Sequence, residues 1–177
     1  MIGFLLKIVA KLRLLFEGFL FKLHAPKNWE KLPDIIDWKK AFLLSAEGFD
    51  KEINSLPYRW DRWKGFLDFS FPIEHPEYFF KELPFGRDCD DWARIWSAYC
   101  RYHGLVCEEW IVTTKNHPFT KSHFVSVVHE NGKYRLLDYH RWDVCDTAED
   151  AVKSVCGHWT TYTPENIVMA RYRVWKP

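Results

Sequence analysis

Apolar and polar positions divide this chain into three zones with different periodicities. Residues 2 to 23 are dominated by Ile, Leu, Phe and Val, broken by Lys7, Lys11, Arg13, Glu17 and Lys22. Gly3, Lys7, Lys11, Gly18 and Lys22 share one side of a helical wheel, with apolar residues over most of the rest, so this zone reads as an amphipathic helix. Pro26 and Pro33 mark a break after it. Asp34 then reads as the cap of a second helix through Trp38, Phe42 and Leu43 to about Ala46, with Gly48 beyond its end. From Leu56 to Pro84 four prolines lie among many aromatics, which predicts irregular chain with one short helix near 77–82.

The clearest helix follows. Asp88 is a good N-cap, Asp91 stands at the capping-box position, and both Asp90 and Asp91 suit the positive end of a helix dipole. Trp92, Ile95, Trp96 and Tyr99 recur at helical spacing as the buried stripe, and Gly104 is the expected stop. Cys89 is thereby the first helical residue. After Gly104 the period changes. Val106 to Thr114 reads as a strand, and His123 to His129 as a second. Asn131-Gly132 is the strongest hairpin signal in the chain, returning Tyr134 to Tyr139 antiparallel to the strand before it. Thr147 caps a short helix, with Asp150 at the box position and Gly157 after the end, and a last strand over roughly 166–175 completes the sheet. The expectation is one α+β domain over residues 26–177, with helices packed on an antiparallel sheet, preceded by the amphipathic helix of residues 1–25.

Composition narrows the function without naming it. The 177 residues carry a net charge of +1, so no overall field argues for nucleic acid or an acidic polymer. Apolar residues make up 47% and aromatic ones 18%, which excludes a disordered chain; the aromatic excess fits either a core of large rings or an exposed groove for peptides or sugars. The five cysteines are odd in number and show no C-x-x-C, a pattern that suits free thiols in a reducing, cytoplasmic setting. Their spacing misses the usual zinc arrangements; His117, His123, His129 and His140 around Cys145 are the alternative donor set, and no metal or cofactor is expected. Charges recur too often in residues 2 to 23 for a membrane span, and no cleavage motif for a signal peptide follows them. Two readings of that helix stand: packing against its own domain or a second copy of the chain, or lying in a membrane interface as a peripheral anchor.

The chemistry lies in Cys89, His123 and Asp138. A thiol with a free pKa of about 8.5 becomes a nucleophile when its thiolate is favoured, and a helix N-terminus and a neighbouring histidine both do that. The predicted hairpin brings His123 at the start of one strand to the same end of the sheet as Asp138 near the end of its partner, so the carboxylate can orient the imidazole. The amide of Cys89 has no acceptor within the helix and can face an oxyanion. Asp88, Asp90 and Asp91 oppose a thiolate unless they turn to helix amides or to Arg87 and Arg94.

Gly86-Arg87-Asp88-Cys89-Asp90-Asp91-Trp92-Ala93, then His123-Phe124-Val125-Ser126-Val127-Val128, then Leu136-Leu137-Asp138, together resemble the transglutaminase-like superfamily, and within it the bacterial transglutaminase-like cysteine proteinases. The resemblance covers about residues 53 to 140. It implies a papain-like α+β fold and a triad with Cys89 as nucleophile, His123 as base and Asp138 as orienting carboxylate. It further implies hydrolysis or transfer of a peptide-like acyl group through a thioester, on a peptide or protein substrate. The chain has no glutamine, so the second oxyanion donor must be another group, with Trp60 and Trp63 as guesses and Trp92 as a further groove residue. The competing expectation is an inactive fold of the same type that binds a peptide or glycan through the aromatic 56–80 segment.

Overall fold

The computed structural model describes residues 34–58, 76–81, 87–116, 122–139 and 142–177, together with Phe4, Leu5, Ile8 and Lys31. Phe4, Leu5 and Ile8 are helical and exposed, and the remainder of the amphipathic zone lies outside the described residues. Among the described residues no helix is long and apolar enough to cross a membrane.

Two short helices replace the single one expected over 34–46. Asp37, not Asp34, caps α1 (Trp38–Ala41), its carboxylate accepting from the amides of Lys39 and Lys40. Ser45 caps α2 (Ala46–Ile53) by accepting from the amide of Gly48. Ala46 therefore opens a helix instead of ending one, and Gly48 lies inside its first turn. A Cβ at Gly48 would stand 3.2 Å from Leu44 Cβ, so the glycine leaves room for Leu44 in the link that leads into α2. Asp34 instead bridges to Lys81, through the backbone and an ion pair of 2.9 Å. That bridge brings in a 3₁₀ turn over Pro76–Phe80, where the sequence predicted the short helix of the proline-rich segment.

The next helix, α3 (Cys89–Tyr102), starts where expected, with Asp88 extended at its N-cap, but the Asp88 side chain makes no capping bond and the capping box with Asp91 does not form. Gly104 ends it with φ +68°, a left-handed conformation that glycine adopts without strain. Every residue from Cys89 to Cys100 is buried, so the expected stripe is only one of several covered faces. The strands are β1 (Val106–Thr114), β2 (His123–Glu130), β3 (Lys133–Leu137), β4 (Val144–Cys145) and β5 (Ile167–Trp175), arranged in the order β4-β3-β2-β1-β5 with every pairing antiparallel. Asn131 and Gly132 both take positive φ (52° and 74°), the geometry of a type I′ turn between β2 and β3. Between β4 and β5 lie α4 (Ala148–Lys153), capped by Thr147, and α5 (Val155–His158). Gly157 belongs to α5, so it is not the stop predicted for α4.

The sheet is covered on both faces. On one, Cys107, Val128 and Leu137 pack with Trp92, Trp96 and Tyr99 of α3 and with Phe42, Phe49 and Phe80 beyond it. On the other, Trp110, Val112, Val125, Val127 and Leu136 meet Ala151, Val152 and Val155. Coverage on both sides explains why β1 and β2 are buried almost throughout. Polar bonds set the position of α3 between these layers. Ser126 Oγ on β2 donates to the carbonyl of Ala93 at 2.7 Å, and Ser97 Oγ donates to the same carbonyl at 3.0 Å. Arg94 Nε pairs at 3.4 Å with Glu109 on β1, whose Oε1 also accepts from Trp175 Nε1 on β5 at 2.9 Å. At the far end, Tyr99 donates to the carbonyl of Leu44 and His103 Nε2 to that of Phe42, at 2.8 and 2.9 Å.

The Arg94–Glu109 pair is almost fully buried (3% and 2% exposed), so removing the cation strands a carboxylate in the core. Arg94→Met is expected to cost about 3–5 kcal/mol. By contrast Arg171, 54% exposed beside Glu108 at 3.3 Å, should cost under about 1 kcal/mol when replaced by Met. Urea unfolding of the two variants measures both, and equal losses would refute burial as the deciding factor.

Candidate active site

At one end of the sheet, where its two covered faces meet, the start of α3, the start of β2 and the residues just after β3 converge. Cys89 is the first residue of α3 and is buried (9% exposed), packed with Ala93, Ile111, Phe124, Ala170 and Tyr172. Its packing against Phe124 puts it beside the residue that follows His123. The bond from Ser126 to Ala93, one helical turn along α3, holds helix and strand in this register.

His123 opens β2, and Asp138 follows the last residue of β3. Pairing of Ser126 with Leu137 carries both to the same end of the sheet, and His123 Nε2 donates to Asp138 Oδ1 at 2.8 Å. The expected partnership of histidine and carboxylate is therefore present. It fixes the ring so that, in the neutral imidazole, Nδ1 carries the lone pair. Asp138 is 2% exposed, and its second oxygen accepts from Trp159 Nε1 at 2.7 Å. A buried carboxylate needs donors on both oxygens, and the indole supplies one.

The residue after Asp138 is Tyr139, with φ +54°. A left-handed conformation in a non-glycine residue costs on the order of 1–2 kcal/mol, and the surrounding contacts hold it there. Its ring lies parallel to His123 (centroids 5.9 Å apart, planes 15°) and packs against Trp92 of α3 at 5.5 Å and Trp159 at 5.8 Å. Tyr139 thus touches the helix side and the strand side of the site at once. Trp159 and Tyr162 complete the ring of aromatics around His123, at 5.1 and 6.5 Å. Tyr58 meets Tyr139 edge-on at 5.6 Å, and the two phenols share a hydrogen bond.

Burial, then the negative charge available to the Cys89 sulfur, pushes the phenols of Tyr58, Tyr139 and Tyr162 well above the usual tyrosine range. Asp88, Cys89 and Asp90 each offer a donor atom within 4.8 Å of the others, and Asp91 is buried beside them. Of the two arginines considered as counter-charges, Arg87 Nε donates to the carbonyl of Phe79 at 2.6 Å and its second nitrogen to that of Lys81, and Arg94 pairs with Glu109.

Of the groove residues expected from the sequence, Trp92 is 4% exposed and sits between Phe79 and Tyr139, so it backs the site and does not line an open groove. Trp60 and Trp63 lie outside the described residues, as do His117 and His140. His129 stacks on Tyr134 at 4.6 Å, and Cys145 pairs with that same tyrosine across the strands. Sequence reasoning missed Tyr139, Trp159 and Tyr162. The one available signal was general: a buried indole or phenol requires a polar partner, and a buried aspartate requires several. Comparison with protein-family models, curated proteins and solved structures found no match for this chain.

Two outcomes follow from this geometry. Trp159→Phe keeps a ring against His123 but removes the donor to a buried carboxylate oxygen, and is expected to lower stability by about 1–3 kcal/mol in urea unfolding. Unchanged stability would mean Asp138 does not need the indole. At alkaline pH the raised phenols matter, including that of Tyr99, pushed up to about 12 by burial. Between about 10, the ordinary tyrosine value, and the folded values, the native state holds more protons than the unfolded one, so stability falls as pH rises. Absorbance at 295 nm should show these four phenols ionising only as the chain unfolds. Reversible titration of all eight tyrosines below pH 11 with the fold intact would contradict the burial.

Proposed function

We propose that this protein is a thiol-dependent amide hydrolase or acyltransferase of the transglutaminase-like type, working on a peptide-like substrate. The observation that carries this reading is the 2.8 Å bond between His123 and Asp138 at the sheet end beside the helix that begins with Cys89. With Nε2 engaged by Asp138, Nδ1 is the nitrogen that takes the proton of the Cys89 thiol. The thiolate adds to the acyl carbon, and His123 returns the proton to the departing amine. Water or a second amine then releases the acyl group from the thioester. Asp138 holds the tautomer and stabilises the imidazolium, and Trp159 holds Asp138.

The resemblance of the segments around Cys89, His123 and Asp138 to transglutaminase-like cysteine proteinases adds support from the residues themselves. One observation favours a silent relative of such enzymes instead: Asp88, Asp90 and Asp91 are all buried beside the thiol, which opposes its ionisation.

Alkylation of each cysteine by iodoacetamide at about pH 6.5, read by peptide mass spectrometry, separates the two. Cys100 and Cys107 are covered almost completely (2% and 0% exposed, against 9% for Cys89), and the thiols of Cys145 and Cys156 are pushed up by burial and then by nearby acids, so all four should react slowly. Cys89 should react at least tenfold faster, and His123→Ala should abolish that advantage. If Cys89 reacts no faster than the others, or ignores His123, the triad is inactive and the binding reading replaces it.

A further inference from the structure

We infer that residues 2–23 are a peripheral anchor that lies in the interface of a bilayer bearing anionic headgroups. This is independent of the triad reading: it concerns where the protein works, whatever its chemistry. It also decides between the two readings of the amphipathic zone, packing within the protein or binding to a lipid surface.

Phe4, Leu5 and Ile8 are helical. At i, i+1 and i+4 they share an arc of about 100° on one side of a helix. A helix held against its own domain turns such residues inward, yet these three are 69%, 42% and 38% exposed. A single exposed apolar side chain needs no explanation, whereas adjacent ones on one helix face make a surface that favours an apolar medium. In the sequence, Leu12, Leu15 and Phe19 recur at the spacing that continues the same arc through the following turns.

Charge selects a lipid surface over a second copy of the chain. Residues 2–23 hold Lys7, Lys11, Arg13 and Lys22 against Glu17 alone. Two copies paired through this zone would bring like charges together, with one acid per chain to offset them. A layer of anionic headgroups supplies the opposite charge at the level that lysine stems reach from a helix lying flat. The imbalance also extends beyond the helix. Residues 1–40 hold eight of the 25 basic residues and four of the 24 acidic ones, so they carry +4 and the rest of the chain −3, although the whole is +1. Two of those four acids are already engaged, Asp34 with Lys81 and Asp37 with the amides that open α1. The described chain that follows also exposes Ile35, Leu43 and Leu44 close in sequence to the exposed Lys39 and Lys40.

Co-sedimentation of the full chain with extruded vesicles tests this. Vesicles of phosphatidylcholine and phosphatidylserine in about a 7:3 ratio are expected to bind the protein at least about tenfold more tightly than phosphatidylcholine alone, and less so at about 0.5 M salt. Phe4→Ser, Leu5→Ser and Ile8→Ser together leave the charge unchanged and should lower the partition coefficient at least about 10²-fold. Lys7→Gln, Lys11→Gln and Lys22→Gln together leave the apolar arc intact and should lower it about 10²-fold on the mixed vesicles, with little change on phosphatidylcholine. Circular dichroism and thermal unfolding check that both variants keep the fold; if the serine variant does not, the lipid and salt dependence of the wild-type chain decides alone. No binding of the wild-type chain to mixed vesicles overturns the inference, as does binding that the folded serine variant retains in full. Equilibrium sedimentation without lipid covers the other occupant: a dimer that the serine changes split, in a chain that ignores vesicles, assigns this face to a second copy and overturns the lipid anchor.

Discussion

The crossing of α3 over β2, held by the Ser126 hydroxyl on the carbonyl of Ala93, is the contact on which the rest of the site depends. A helix laid on a sheet by apolar packing alone can slide, because dispersion and burial are non-directional. A hydroxyl in the middle of a strand, bonding one backbone oxygen of the helix, removes that freedom. Ser97 shares the carbonyl and lies 3.4 Å from Ser126, so helix and strand meet through a small polar cluster inside an otherwise apolar layer. Cys89 lies four residues before Ala93 and His123 three before Ser126, so fixing the one pair fixes the other. The buried Arg94–Glu109 pair extends the same control to β1 and, through Trp175, to β5.

A second constraint follows from burial of Asp138. Out of water, each of its oxygens must be satisfied within the protein, and among the described residues His123 and Trp159 donate to them. Both arrive by long-range contact: one from the neighbouring strand, the other from the chain that leaves α5. The carboxylate thus ties together three segments that no local rule would assemble, and the strain at Tyr139 is the local cost of ending β3 against that cluster. Tyr139, wedged between His123 and Trp92, converts this into a structural link between sheet and helix.

The sequence revealed most where structure is local. Asn131-Gly132 demanded positive φ at both residues, and that requirement set the hairpin, its register and the meeting of His123 with Asp138. Gly104 and Thr147 punctuated their helices for equally local reasons. Errors arose where several residues competed for one role. Asp34, Asp37 and Ser45 are all good caps; tertiary contact with Lys81 occupies Asp34, leaving the other two to start separate short helices. Asp88 fits the cap position by identity, yet its side chain makes no bond there. The aromatic shell of the site was not legible, because Tyr58, Tyr139, Trp159 and Tyr162 are brought together by the packing of distant segments and carry no spacing of their own.

On the proposed reading, charge decides how such a thiol is activated. The N-terminus of α3 contributes roughly half a positive charge, and Asp90 and Asp91 in its first turn consume that field before it reaches the sulfur. Asp88 adds a further negative neighbour. On that reading an imidazolium at His123, with Asp138 behind it, is the positive charge that stands beside the thiolate of Cys89. An ion pair formed beside Tyr139 and the buried Tyr162 would be screened less than one in solvent. Nucleophile and base would act as one unit, and the buried hydroxyl cluster that sets their spacing would govern the chemistry as much as the fold.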